Sequence, residues 1–127
     1  VNVKRALLVG LLLLASFPAS AHHSTTAEFD VTHRMTLAGT LTKVDWVNPH
    51  IVVFMTAKDG TWKFESNPPA WFRRVGVTRA DFSKAIGQAV TVEGNRAKDG
   101  SQYGYLVKIT YADGSSLELV PPGAAAP

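Results

Sequence analysis

The sequence predicts a mainly β domain, a small five- to six-stranded OB-like barrel with a short helical segment between strands 3 and 4. Three observations predict it. Polar and apolar residues alternate with a period of two in several separate stretches, the mark of half-buried strands. Asn-Pro and Asp-Gly pairs break those stretches at short intervals, which is turn chemistry. The region with helix start and stop signals lies between the third and fourth stretch, as suits an OB-like order. An open α+β sheet roll fits the same element order, but closure deals better with strand edges that invite aggregation.

The elements follow in order. Residues 22–33 are polar and small, with Phe29 and Val31 as the large apolar anchors, and read as an extended or loosely ordered N-terminal arm. The barrel domain is expected over residues 34–120. From Arg34 to Val47, Met35, Leu37, Gly39 and Leu41 share one face, with Arg34, Thr36, Thr40 and Thr42 on the other. Past Lys43 the apolar phase moves to Val44 and Trp46, so a bulge is expected near Thr42–Lys43. Asn48-Pro49 ends that strand, since proline fixes φ and removes a donor. His50–Ala57 is the second strand, apolar on both faces. Lys58-Asp59-Gly60-Thr61 makes a hairpin turn into Trp62–Ser66, the third strand, with Trp62 and Phe64 opposite Lys63 and Glu65.

The helical region spans about residues 69–86, in two pieces broken at Gly76. Thr78 and Asp81 have capping-box spacing before Phe82, Ala85 and Ile86, and Gly87 is placed as the stop. Gln88–Ala97 is the fourth strand, Tyr103–Tyr111 the fifth, and Ser116–Val120 a short sixth. Residues 121–127 are a Pro/Ala/Gly tail, expected to be disordered.

Residues 1–21 read as a cleavable signal peptide. Lys4 and Arg5 precede an apolar run from Ala6 to Phe17, and Ala19-Ser20-Ala21 supplies the small-residue cleavage site. The run falls short of the ~20 residues a membrane span needs, so no stable span is expected after cleavage. A periplasmic or secreted location follows. The chain has 13 Lys+Arg and 10 Asp+Glu, and loss of Lys4 and Arg5 leaves 11 basic residues against those 10 acids. That balance holds no basic patch for nucleic acid. There is no cysteine, so the core must hold the fold, with a metal as the other available staple.

Four histidines carry the sharpest functional lead: His22, His23, His33 and His50. Cleavage after Ala21 makes His22 the first residue. Its free amine and imidazole can chelate one ion together, and a third nitrogen would complete a planar set that suits Cu(II). His50 is the best distant partner, because the Asn48-Pro49 turn pins it at a strand start. His33 is the second choice. His23 offers another mode, through the terminal amine, a deprotonated amide and its own imidazole. Asp30 or Glu28 can supply an oxygen or orient an imidazole. Against this, two histidines after a cleavage site also fit a plain chain end, and His50 also fits a turn cap.

Trp46, Trp62 and Trp71 form the alternative lead, a ligand-binding aromatic face for a glycan, lipid-derived or protein partner of the cell envelope, with no metal. Core packing is the competing role for these aromatics. Arg73 and Arg74 beside Trp71 can bind an anion or form a solvated surface. Asp45 and Glu65 fit either a carboxylate pair or exposed alternation. There is no cysteine nucleophile, Gly-x-Ser-x-Gly elbow or Gly-rich phosphate loop. A binding protein is therefore expected, not an enzyme, although a copper ion on an N-terminal histidine can also activate oxygen.

Several segments together carry a family resemblance. They are Ala21-His22-His23-Ser24, Glu28-Phe29-Asp30, Gly39 to Trp46, Asn48-Pro49-His50-Ile51, Trp62–Glu65, Val92-Glu93-Gly94 and Ala97 to Ser101. They resemble a family of small exported bacterial proteins known only as a domain of unknown function, over most of residues 21–114. The Trp-x-Asn-Pro-His segment, Trp46 to His50, is the most specific part. The resemblance implies export, a single domain and a β-barrel-like fold, and pairs the double histidine with Asn-Pro-His. It implies no substrate, cofactor or catalytic residue. Gly76-Val77 departs from the Gly-Trp expected there.

Overall fold

The computed structural model describes residues 25–119. The expected signal segment, His22 and His23, Val120 and the 121–127 tail lie outside the described residues. The elements are α1 (Thr25–Glu28), β1 (Phe29–Asp45), β2 (Val52–Ala57), β3 (Gly60–Glu65), α2 (Pro69–Arg74), α3 (Arg79–Ser83), β4 (Ala89–Ala97), β5 (Tyr103–Tyr111) and β6 (Ser116–Glu118). The sheet order is β3-β2-β1-β4-β5-β6, and β5 also pairs in parallel with β3. Strands β1–β5 thus close a five-stranded barrel, with β6 as an extra strand and the helical segment between β3 and β4.

β1 serves two neighbours in succession. Residues from Phe29 to Thr40 pair with β4, and residues from Gly39 to Asp45 pair with β2. The expected slip is present between Leu41 and Lys43, and it turns Val44 into the core after Leu41. The strand starts at Phe29, earlier than alternation alone indicates. Phe29 is fully buried against the rings of Tyr103 and Tyr105 and pairs with Ala97. Residues 30–33 are therefore no loose arm. Phe29 faces Ala97 and Arg34 already faces Asn95, so these residues loop out of the ladder between two paired positions. Asn95 ties the loop down, its side-chain amide donating to Asp30 O at 3.0 Å and His33 O at 3.3 Å.

The helical segment divides as expected. Gly76 takes φ +77° between α2 and α3, a left-handed value that favours glycine. The capping box is formed, with Asp81 Oδ2 accepting from Thr78 N at 2.7 Å and Thr78 Oγ1 at 2.9 Å. These hydrogen bonds hold the Asp81 carboxyl below its usual range. Phe72 and Phe82 are fully buried, meet edge to face and join the barrel core. Gly87 closes the segment by donating from its backbone N–H to Leu41 O at 2.7 Å.

A second bulge lies in β5, where Glu93 faces Lys108 and Gly94 faces Leu106, so that Val107 is the extra residue and is buried next to Leu106. On the facing strand, Gly94 and Asn95 are both buried. Phe64 fills the space above Gly94 and Gly104. A Cβ at Gly94 would stand 2.5 Å from Tyr105 O and 3.2 Å from the Phe64 ring, and one at Gly104 would stand 2.8 Å from that ring. Among the described residues, no helix is long and apolar enough to cross a membrane.

The close approach at Gly94 generates a test. Gly94→Ala should destabilise the fold by about 1–3 kcal/mol, the usual cost of overpacking, read as a lower urea midpoint with unchanged slope. A midpoint equal to that of the parent would show that the β4–β5 contact has room to spare.

Candidate functional site at the barrel seam

The site forms where β3 and β5 close the barrel. Residues 48–51 lead into β2, and the Asn48-Pro49 peptide is cis. Ile51 is fully buried, and its backbone donates to Asn67 O and accepts from Ser66 N at 3.2 and 2.9 Å. His50 is therefore held between a proline and a pinned neighbour. Its Nδ1 pairs with Glu65 Oε1. Glu65 ends β3, level with Val52 of β2 on one side and Tyr105 of β5 on the other. The second oxygen of Glu65 accepts a hydrogen bond from the Tyr103 hydroxyl. His50, Glu65 and Tyr103 thus form one chain of hydrogen-bonding groups across the seam.

Neighbouring groups fix this chain in place. The Lys63 ammonium lies 4.4 Å from the centre of the Tyr103 ring, a cation–π contact. Phe29 meets Tyr103 edge-on at 5.1 Å. Tyr105 donates to Asn67 Oδ1 at 2.5 Å, and Asn67 Nδ2 donates to Leu119 O at 2.9 Å. Asn67 thereby binds the chain after β3 to the residue that follows β6.

The chemistry follows from the donor inventory. An ionised carboxylate only accepts, so the hydrogen between Glu65 and His50 resides on Nδ1. With Nδ1 turned to Glu65, Nε2 is the ring nitrogen left for a ligand, and the His50 side chain is partly open to solvent. A carboxylate behind a histidine in this way fixes ring orientation, as behind many metal ligands. Burial first, then the hydrogen bond to Glu65, pushes the Tyr103 phenol far above its ordinary range. The charge of Glu28 adds to that rise, and Phe29, the residue after α1, meets the Tyr103 ring. Burial, then Glu65, pushes Tyr105 up to about 12. Burial also carries Tyr111 to about 12, and its hydroxyl has no hydrogen-bond partner among the described residues.

The sequence-predicted residues are only partly brought together. His33 is exposed in the loop at 30–33, with Nδ1 3.0 Å from Asp30 Oδ2. Hydrogen bonds from Thr32, then His33, hold Asp30 down to about 2. Among the described residues no hydrogen bond or ion pair joins His33 to His50, and no three or more His, Cys, Asp or Glu gather as a metal-binding group. Trp62 is 3 % exposed, stacks on Phe64 and donates to Asp59 Oδ1 at 2.9 Å. Trp46 and Trp71 are half-buried, and both meet Phe72 instead. The three indoles therefore do not make one platform. Asp45 pairs with Lys43, not with Glu65.

Tyr103, Tyr105 and Asn67 were not legible as site residues. The available signal was topological: closing the third strand on the fifth in parallel sets Lys63–Glu65 beside Tyr103–Tyr105.

Fold and site together define an OB-like barrel with a histidine–carboxylate–phenol chain across its closing strands. The chain belongs to DUF6152, a family of unknown function, which it matches over residues 10–106. That span includes His50, Glu65 and Tyr103. No curated protein matches the chain.

The raised phenols have a direct consequence. A tyrosine whose folded pKa exceeds its unfolded value of about 10 adds stability that is complete below that value and lost as pH rises toward the folded one. The tyrosinate absorbance of the folded protein should therefore titrate near or above pH 12, with stability falling between about pH 10 and 12. A titration centred near 10 with the fold intact would contradict the buried hydroxyls.

Proposed function

We propose that the protein is exported, is cleaved after Ala21, and binds Cu(II) or a similar transition ion in the periplasm or outside the cell. The donors are the free amine and imidazole of His22 and the Nε2 of His50. The observation that carries this reading is the His50–Glu65 pair. A ring held by Nδ1 on a half-buried carboxylate offers the opposite nitrogen in a fixed direction, at the mouth of a rigid strand.

Chain connectivity supports the pairing of the two segments. Phe29, the residue after α1, packs against Tyr103, whose hydroxyl bonds the same carboxylate that holds His50. Lys98 binds α1 from the other flank, donating from its backbone to Glu28 O at 2.9 Å and from Nζ to Thr26 O at 2.6 Å. His22 precedes Thr25 by three residues, a reach of at most about 10 Å along an extended chain. Three nitrogens suit Cu(II), which leads the divalent affinity series. His23 would supply a purely local alternative, and His33 a second imidazole on the loop that follows Phe29. Buffering, delivery or tolerance of the ion is the corresponding role.

Copper titration of protein beginning at His22 tests the reading by calorimetry or by the visible copper absorption. His22→Ala, or one extra residue ahead of His22, should abolish tight binding. His50→Ala should weaken it strongly, and Glu65→Ala should cost about 10- to 100-fold, as loss of a histidine-orienting carboxylate does. Equal affinity in His50→Ala and the parent would leave only a local N-terminal chelate.

A further inference from the structure

A second surface lies on the other side of the Asn48-Pro49 turn. A groove of about 470 Å3 opens between the end of β1 and the helical segment, lined by Trp46, Arg73, Gly76, Val77, Thr78 and Arg79. The indole of Trp46 is set from below by Phe72 and Phe82, at 5.4 and 5.9 Å between ring centres. Val77 is held by its backbone hydrogen bond to Phe72 O at 2.9 Å. Nearby in the chain, Val47 and Val75 are 52 % and 53 % exposed and extend the apolar surface beside the groove.

The charges around this groove are one-sided. Arg73, Arg74 and Arg79 are exposed, and among the described residues no carboxylate pairs with any of them. The acid of the same segment, Asp81, is committed to the capping box on Thr78. Asp45, at the end of β1, is committed to Lys43. Two unpaired guanidinium groups therefore flank an apolar floor.

We infer that this groove binds a small amphipathic anion, with its apolar body on Trp46 and Val77 and a carboxylate head taken by Arg73 and Arg79. A guanidinium offers a planar fork that matches a carboxylate and is weakly hydrated enough to work beside apolar surface. The volume falls in the ~300–1,000 Å3 range of small-molecule sites, and an apolar lining with a few polar groups is their usual make-up. A bare inorganic anion would leave the floor uncovered, and a neutral chain would leave the guanidinium groups unanswered. The site is independent of the metal reading, since it shares no residue with His22, His50 or Glu65.

Calorimetric titration with decanoate below its micelle concentration tests this, beside decanol and inorganic phosphate. Decanoate should bind at least tenfold more tightly than either. The double variant Arg73→Gln/Arg79→Gln should lose that preference while keeping the parent's Tm, because both side chains are exposed. Val77→Glu should weaken decanoate through like charge, and His50→Ala should leave it unchanged. Equal binding of decanol and decanoate, phosphate binding as tight as decanoate, or no decanoate binding at all would overturn the inference. So would co-sedimentation with anionic phospholipid vesicles without binding of monomeric decanoate, which would make the face a membrane contact.

Discussion

The parallel contact between β3 and β5 is the constraint on which the rest of the molecule depends. Lys63, Phe64 and Glu65 face Tyr103, Gly104 and Tyr105, and this short ladder converts an open sheet into a barrel. It forms only if Phe64 can lie over a strand with no side chain beneath it, a condition Gly104 and Gly94 meet. The same ladder sets Lys63 over the Tyr103 ring and carries Glu65 within reach of its hydroxyl. A packing requirement inside the barrel and a polar arrangement outside it are therefore two sides of one pairing. The alternation of Trp62, Lys63, Phe64 and Glu65 assigns each residue to its side.

Most of the architecture was legible because it is written in local signals. The hairpin at Asp59-Gly60, the capping box at Thr78, the break at Gly76 and the bulge after Leu41 each involve residues a few positions apart. What escaped depends on partners far along the chain. Phe29 reads as an isolated aromatic in a polar segment until Tyr103 and Tyr105 close over it. The loop at 30–33 exists because Asn95 binds both its ends, a contact spanning more than sixty residues. The aromatic face inferred from Trp46, Trp62 and Trp71 shows the limit of composition. Strand alternation sends Trp62 to the core, while the helical segment draws the other two onto Phe72.

Candidate-site residues were legible to the extent that chemistry sets them apart. His50 was identifiable because histidine is scarce here and because proline marks its backbone as fixed. Glu65 looked like ordinary strand alternation, and nothing local distinguishes it from Lys63 as a solvent-facing charge. Its difference lies in its surroundings, where a phenol and an imidazole take one oxygen each. Tyr103 and Tyr105 read as strand aromatics, and only the closed barrel places their hydroxyls on Glu65 and Asn67.

The connection between β1 and β2 is short, and both surfaces described above hang from it. Trp46 stands at its start and His50 near its end, with Val47, Asn48 and Pro49 between them. Its downstream side is anchored by Ile51 and its upstream side by the Trp46 ring on Phe72 and Phe82. Lengthening or shortening this connection by a single residue would shift an indole and an imidazole at once. The β4–β5 turn at Asp99-Gly100 bears neither group and is tied instead to α1, through Lys98 on Glu28 O and Thr26 O, and to Arg96, which reaches Ser101 O. One hairpin end thus holds α1, while a single short stretch of backbone carries both the indole and the imidazole.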